Sequence, residues 1–363
     1  MNVFQILPEL NSGGVERGTV EFGRELVRRG HASTVVSAGG RQVARLEAEG
    51  SEHIQLPVHR KSLLSLQWVR PLRRLLVERK PDIVHVRSRV PAWLAWLAWR
   101  NMPAQARPHL VSTFHGMYSV NAYSAVMARG ERIIAISAAV RDYIIENYPG
   151  ADPETIRLIH RGVDAAEFCH GFMPSPQWRE AFFQANPGLV NKRLLLMPGR
   201  LSRWKGQLDF IALMAELRRR GIVDIHGLVV GSSDGAKQQY ERELRTAVQA
   251  GGLQDSVSFL GHRNDMKELY AIADIVYNLS NRPEPFGRTV TEALSIGTPV
   301  IAYDRGGPAE VLRDCFPPGL ADPATLATVT MDVLSQAPAI ALKQHYLLST
   351  QVAKTIATYE ELL

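Results

Sequence analysis

Short apolar runs alternate with amphipathic stretches from the first residues onward. Asn2 to Leu7 reads as a strand, Val15 to Arg29 as a helix, Ser33 to Ser37 as a strand and Leu64 to Lys80 as a helix. The rhythm continues through Ile83 to Val86, Val90 to Asn101, Leu110 to Thr113, Ile133 to Ile136, Ala139 to Tyr148 and Ile156 to Ile159. Strand-length apolar runs separated by helix-period segments predict a parallel sheet covered on both faces. The punctuation agrees: Gly30 stands where the first helix needs a C-terminal cap, and Ser137 precedes Ala139 to Tyr148 as an N-cap.

Between Phe168 and Leu189 the pattern breaks into Gly171, Pro174, Pro176, Pro187 and Gly188, which reads as an interdomain crossing. A second series follows: strand Leu194 to Met197, helix Leu208 to Arg220, strand Ile225 to Val230, helix Lys237 to Ala250 and strand Val257 to Leu260. Helix Met266 to Ala273, strand Ile275 to Leu279, helix Thr289 to Ile296, strand Val300 to Ala302 and helix Ala324 to Ser335 complete it. Two doubly wound α/β domains are expected, 1–175 and 176–345, with ligands at the carboxyl ends of their strands. No internal repeat of solenoid length is visible.

Composition narrows the class. At 363 residues the chain is long for one core, and 45% hydrophobic with 21% charged residues describes a packed globular protein. No stretch reaches the roughly 18 uninterrupted apolar residues of a spanning helix. Met1 to Leu7 lacks a basic leader and runs into polar Asn11-Ser12-Gly13-Gly14, so a cytoplasmic protein is expected. The two cysteines, Cys169 and Cys315, fit a reducing compartment and make no metal cluster alone.

The net charge of +6 is unevenly placed: eleven Lys and Arg lie between His59 and Arg107 against two acids, Glu78 and Asp82. Such a face attracts phospholipid headgroups, phosphorylated glycans or nucleic acid, or is simply a solvated helix. Trp93, Trp96 and Trp99 recur beside it. They read either as an interfacial helix at an anionic membrane or as core packed on the sheet.

Three loops could carry chemistry. Asn11-Ser12-Gly13-Gly14-Val15-Glu16-Arg17 lies between a strand and a helix, where paired glycines and a helix N-terminus suit an anion, though a Gly-Gly turn is also common as a turn. Met197-Pro198-Gly199-Arg200-Leu201-Ser202-Arg203-Trp204-Lys205-Gly206 offers a guanidinium and an ammonium to phosphate oxygens. Were these cations structural they should find carboxylates, and only Asp209 is close in sequence. In Glu284-Pro285-Phe286-Gly287-Arg288-Thr289-Val290-Thr291-Glu292, seven residues separate two glutamates. The loop carboxylate suits sugar hydroxyls, the helical one suits ribose hydroxyls, and the backbone N–H groups of Gly287, Arg288 and Thr289 suit phosphate. Alternatively Glu292 only solvates a helix face, although Val290, Ala293 and Leu294 around it point to a partly buried surface.

These motifs, with His115-Gly116, Arg161-Gly162-Val163-Asp164, Gly261-His262-Arg263 and Gly306-Gly307-Pro308-Ala309-Glu310, occur in the order found in family 4 of the glycosyltransferases, and the chain resembles that family over most of its length. The resemblance implies the GT-B fold: two Rossmann-like parallel-sheet domains facing a central cleft, with a terminal helix, 346–363, returning to the first domain. It implies that Arg200 and Lys205 bind the donor diphosphate, Glu292 the ribose, and Glu284 the donor sugar near its anomeric carbon. Gly13 and Gly14 would serve the β-phosphate, His115 would face the donor sugar, and His262 and Arg263 would mark the nucleobase. Phe286, Gly287, Arg288 and Thr289 complete the donor set, and their order looks like that of bacterial enzymes building lipopolysaccharide core or surface polysaccharide.

The implied reaction is retaining transfer from a nucleotide-diphosphate sugar to a glycan or glycolipid acceptor, possible anionic ones included, without metal or other cofactor. No Asp-x-Asp pair for Mg²⁺ occurs, and Arg200 and Lys205 take the ion's place. The chain departs from the family at Arg161, where Asn is frequent, and at Arg288, where an aliphatic residue is common. Three other readings stand beside this one: a nucleotide-sugar epimerase of the same fold, a phosphorylase, which Glu292 argues against, and a basic nucleic-acid-binding protein, which leaves the paired glutamates unexplained.

Overall fold

The computed structural model describes residues 1–11, 13–232, 238–336 and 338–363; Ser12 of the first glycine loop and Lys237 at the start of an expected helix lie outside them. The chain divides into two units, Met1–His160 with Ser349–Leu363, and Arg161–Leu348.

In the first unit, β1 (Asn2–Ile6), α1 (Gly14–Arg28), β2 (Ala32–Ser37), α2 (Val43–Ala48), β3 (Glu52–Gln55), α3 (Val69–Arg79), β4 (Ile83–Val86), α4 (Arg89–Arg100), β5 (His109–Phe114), β6 (Arg132–Ala135), α5 (Ala138–Asn147) and β7 (Ile156–Leu158) follow in turn. The strands form one parallel sheet in the order β3-β2-β1-β4-β5-β6-β7. Every residue of β4 is buried, as expected of a parallel strand covered on both faces. Ser137 caps α5 by accepting from Val140 N at 3.1 Å, and Gly30, at φ 78°, follows α1.

Two features of this unit differ from the sequence pattern. The expected helix Leu64 to Lys80 begins as a 3₁₀ turn, Leu63–Trp68, and becomes α-helical only at Val69. Pro71 lies in the first turn of α3 and has no N–H to continue an α ladder backward. The small pair α2 and β3 has no long apolar run to announce it, and β3 sits on the sheet edge beside β2.

In the second unit, α6 (Pro176–Ala185) precedes β8 (Arg193–Pro198), α7 (Gln207–Arg219), β9 (Ile225–Val230), α8 (Gln238–Ala250), β10 (Val257–Gly261), α9 (Met266–Ile272), β11 (Ile275–Asn278), α10 (Arg288–Ile296), β12 (Val300–Tyr303), α11 (Gly306–Cys315), β13 (Leu320–Ala321) and α12 (Leu326–Gln336). The sheet is again parallel, in the order β10-β9-β8-β11-β12-β13. In both sheets the strand order reverses beside the first strand of the unit, at β1/β4 and β8/β11, which makes a switch-point crevice at the carboxyl ends.

The unit boundary lies earlier than residue 175. Val163 bridges in parallel to Leu347, and Gly171 N donates to Ile296 O at 2.8 Å, so 161–175 is bonded into the second unit. The segment read as a crossing also contains α6, because Ser175 accepts from Trp178 N at 3.2 Å and Pro176 occupies the first turn, where its missing N–H costs nothing.

The last helix, α13 (Leu348–Glu360), belongs from Ser349 onward to the first unit. Tyr359 is fully buried there, its hydroxyl 2.6 Å from His85 Nδ1 and its ring edge-on to Phe22 at 6.2 Å. His85 Nε2 meets Thr113 Oγ1 at 2.6 Å, so the ring is held from both sides. Burial, and then the Arg87 charge, hold its pKa well below the ordinary imidazole value. Past the helix, Glu361 accepts from Arg157 (2.6 Å) and Arg132 (2.9 Å).

Candidate active site

β8 ends at Pro198, and the chain turns through Gly199 and Arg200 into the 3₁₀ turn Arg203–Lys205 before α7 begins. Gly206 makes that entry possible: its φ is 82°, and a Cβ there would stand 2.0 Å from the Leu279 carbonyl oxygen. Gln207 Nε2 donates to the Arg200 carbonyl at 3.1 Å and fixes the loop from behind.

Lys205 is not short of a carboxylate, contrary to the sequence neighbourhood. Its Nζ donates to Glu284 Oε1 at 2.5 Å, while Asp209 instead accepts from the Tyr303 hydroxyl at 2.7 Å. The parallel sheet brings the loops after β8 and β11 side by side, which adjacency along the chain does not show. Glu284 is 6% exposed and also accepts from the Ser280 hydroxyl.

The backbone of the glutamate loop is backed by the start of α11. Gly307 N donates to the Glu284 carbonyl at 2.8 Å, and a Cβ on Gly307 would stand 2.4 Å from Phe286 Cα. Phe286 is buried with its ring 6.3 Å from Tyr346, so the expected donor contact by Phe286 is restricted to its backbone. Gly287 caps α10 in the left-handed region, at φ 84°.

Glu292, one turn into α10, is 7% exposed, which overturns the reading of a solvated helix face. Its Oε2 accepts from the Tyr270 hydroxyl at 3.2 Å and its Oε1 from Arg288 Nε at 3.1 Å. A buried carboxylate needs such donors, because an unpaired one would be strongly destabilising. Arg288, the departure from the family pattern, is thereby partly committed to Glu292.

These elements enclose a cavity of about 360 Å³ at the carboxyl ends of β8, β9 and β10, within the range of small-molecule sites. Gly199, Arg200, Arg263, Tyr270, Thr289 and Glu292 are among its lining residues; Lys205, Glu284, Phe286, Gly287 and Arg288 are not. Arg263 is held by Asp265 at 2.8 Å through Nε, and the Trp178 indole donates to the same carboxylate at 2.9 Å. Burial alone would push the Asp265 carboxyl up, but hydrogen bonds from Arg263 and Trp178 hold it below its ordinary value.

Gly13, Gly14 and His115 stand in the first unit. Gly13, at φ 153°, precedes α1, of which Gly14 is the first residue, and His115 directly follows β5. Among the described residues no group of three or more His, Cys, Asp or Glu is placed to hold a metal ion. Sequence reasoning missed Tyr270, Ser280 and Asp265, which hold Glu292, Glu284 and Arg263. Ser280 alone had a signal, a hydroxyl just past a buried strand and four residues before Glu284.

Residues 12–167 match the model of Glycosyltransferase Family 4, and residues 179–327 match that of Glycosyl transferases group 1. The chain belongs to the family 4 glycosyltransferases. The fold of this glycosyltransferase is GT-B, as in a glycosyltransferase from Rickettsia africae ESF-5, which is 27% identical, with a TM-score of 0.87 over 99% of this chain and 98% of that one. Spore coat protein SA of Bacillus subtilis strain 168 is 25% identical over 316 residues, 83% of this chain and 79% of that protein. Anabaena HepE, crystallised with UDP, shares the fold at 24% identity and TM-score 0.78, with both chains fully covered. Several other curated relatives match over about half of this glycosyltransferase and 38 to 45% of their own length.

Proposed function

We propose that this glycosyltransferase moves a sugar from a nucleoside-diphosphate sugar to a glycan or lipid-linked acceptor with retention of anomeric configuration. The observation that carries the reading is one cavity lined by both Arg200 and the buried carboxylate of Glu292. A cation and a fixed hydrogen-bond acceptor at opposite needs of one ligand match a diphosphate and a ribose. Arg200 and Lys205 neutralise the departing diphosphate in place of a metal ion, so the transition state is stabilised by preorganised charge. Glu284, held by Lys205 and Ser280, faces the donor sugar. Thr289, Arg288 and the backbone of Phe286 and Gly287 complete the donor site, with Arg263 toward the base.

The acceptor belongs to lipopolysaccharide core or surface polysaccharide synthesis, on the resemblance of the Phe286-Gly287-Arg288-Thr289 order to such enzymes. The enzyme works in the cytoplasm, at the inner face of the membrane; among the described residues no helix is long and apolar enough to cross it. Thermal-shift screening against UDP-, GDP- and ADP-sugars tests the donor site, because a ligand that binds the folded state raises its melting temperature. UDP, present in the HepE structure of like fold, is the first nucleotide to try. Interconversion of the sugar nucleotide without acceptor would identify an epimerase instead, and no shift with any of them would overturn the reading.

A further inference from the structure

The 3₁₀ turn Leu63–Trp68 places apolar side chains outward. Leu63 is 85% exposed, Leu64 75% and Leu66 49%, whereas Ser65 is buried. Beside them a groove of about 470 Å³ runs between this turn and α4, with Leu63, Leu66, Trp93, Leu94 and Leu97 in its walls. Arg60 and Lys61 also line it; Arg70 and Arg73 line a hollow that shares Leu66 and Leu97.

The charge around this apolar surface is not neutralised by the protein. Of the eleven Lys and Arg between His59 and Arg107, only Arg79 has a carboxylate within ion-pair distance among the described residues, Glu52 at 2.7 Å. Arg60, Lys61, Arg70, Arg73 and Arg74 are all exposed. The tryptophans, by contrast, are tied to the unit. Trp93 Nε1 donates to Tyr123 O (2.8 Å), Trp99 Nε1 to Pro108 O (2.7 Å), and the Trp96 ring lies under Arg129 at 4.1 Å.

We propose that the Leu63–Leu66 turn and its basic surround dock the enzyme on an anionic lipid bilayer, with the leucines entering the headgroup and acyl boundary and the cations meeting lipid phosphates. Exposed leucines flanked by unpaired cations have the chemistry of an interfacial anchor, since each half attracts a different layer of the same surface. A purely polar polyanion would satisfy the arginines and leave the leucines in water. The docking gives the acceptor proposed above a membrane address, and rests on that reading only for this consequence.

The test is co-sedimentation of the full chain with vesicles of phosphatidylglycerol and phosphatidylcholine in equal parts, against vesicles of phosphatidylcholine alone. The wild type is expected to bind the mixed vesicles and not the neutral ones. L63S/L64S/L66S is expected to lose about tenfold or more in partitioning, and R70Q/R73Q/R74Q to lose the preference for phosphatidylglycerol. Both variants should keep the wild-type melting temperature and nucleotide-sugar thermal shift, so failure here is separate from failure of the donor site. Wild-type protein left in the supernatant would overturn the proposal. So would full binding by the leucine variant, or a wild-type dimer in light scattering that the leucine variant converts to monomer.

Discussion

Lys205 Nζ donates to Glu284 Oε1 at 2.5 Å, across 79 positions of sequence. The contact joins the loop after β8 to the loop after β11 and holds the glutamate where the donor sugar is proposed to sit. Replacing Lys205 with Met would leave a largely buried carboxylate without its cation, which costs about 3 kcal/mol or more in comparable buried pairs. K205M is therefore expected to lower both the melting temperature and the rate of transfer. E284Q, which keeps the shape and the Ser280 contact, is expected to lower turnover far more than donor affinity. Equal turnover of E284Q and wild type would remove Glu284 from the reaction.

Glu292 accepts from Tyr270 and Arg288 inside the second unit. E292A should abolish the thermal shift given by the productive nucleotide sugar. Leaving the Tyr270 hydroxyl and Arg288 unsatisfied should also destabilise the apo enzyme by about 1 to 3 kcal/mol in urea unfolding. An unchanged ligand shift would sink the ribose assignment.

Turnover is expected to persist in EDTA, since Arg200 and Lys205 carry the proposed neutralisation of the diphosphate. Loss of activity with chelator, restored by Mg²⁺, would contradict it.

His85 is buried between Tyr359 and Thr113, and burial lowers its pKa. Above about pH 6.5 the ring is neutral in both folded and unfolded chains. Below that, only the unfolded chain takes up the proton until the lower folded pKa is reached. Stability should therefore fall with acid, with this group contributing up to about 1.4 kcal/mol per pH unit. NMR at pH 6 should find the His85 imidazole still neutral; a charged ring would contradict the buried contact.

Hydrogen bonds from Arg157 and Arg132 hold the Glu361 carboxyl down at about 2. A lowered carboxylate pKa contributes stability above the unfolded value near 4.3, lost as pH falls toward 2. The groups are partly exposed and screened, so E361Q should cost about 1 kcal/mol or less at pH 7, vanishing in acid. Parallel denaturation curves at pH 7 and pH 3 measure the difference. Y359F should cost more, about 1 to 3 kcal/mol at pH 7, because it leaves a fully buried His85 nitrogen without its partner.

Much of this was written locally. Hydrophobic periodicity marked β1, β4, β8 and β11 because a strand buried on both faces is apolar over most of its length, with buried polar exceptions such as His85 in β4. Gly206 and Gly307 are where backbones meet too closely for a Cβ, and Gly287 takes a left-handed φ, so the glycine motifs betrayed the loops that bear Arg200 and Glu284. The edge pair α2 and β3 lacked such a signal, being short and half solvated. The helix α6 was hidden by the proline that starts it and by the glycines and prolines on either side of it.

What the sequence alone determined is the set of elements and the polar groups at their ends, since both depend on spacing and on residue type. Only the tertiary structure decided their pairings. Lys205 found Glu284 rather than Asp209, because parallel strands order their loops by sheet position and not by chain distance, and helix packing brought Tyr270 of α9 to Glu292 and Tyr359 of α13 to His85. The exposure of Leu63, Leu64 and Leu66 was also decided by the tertiary structure, because which side chains of a short turn are covered depends on the elements packed beside it and not on the local pattern.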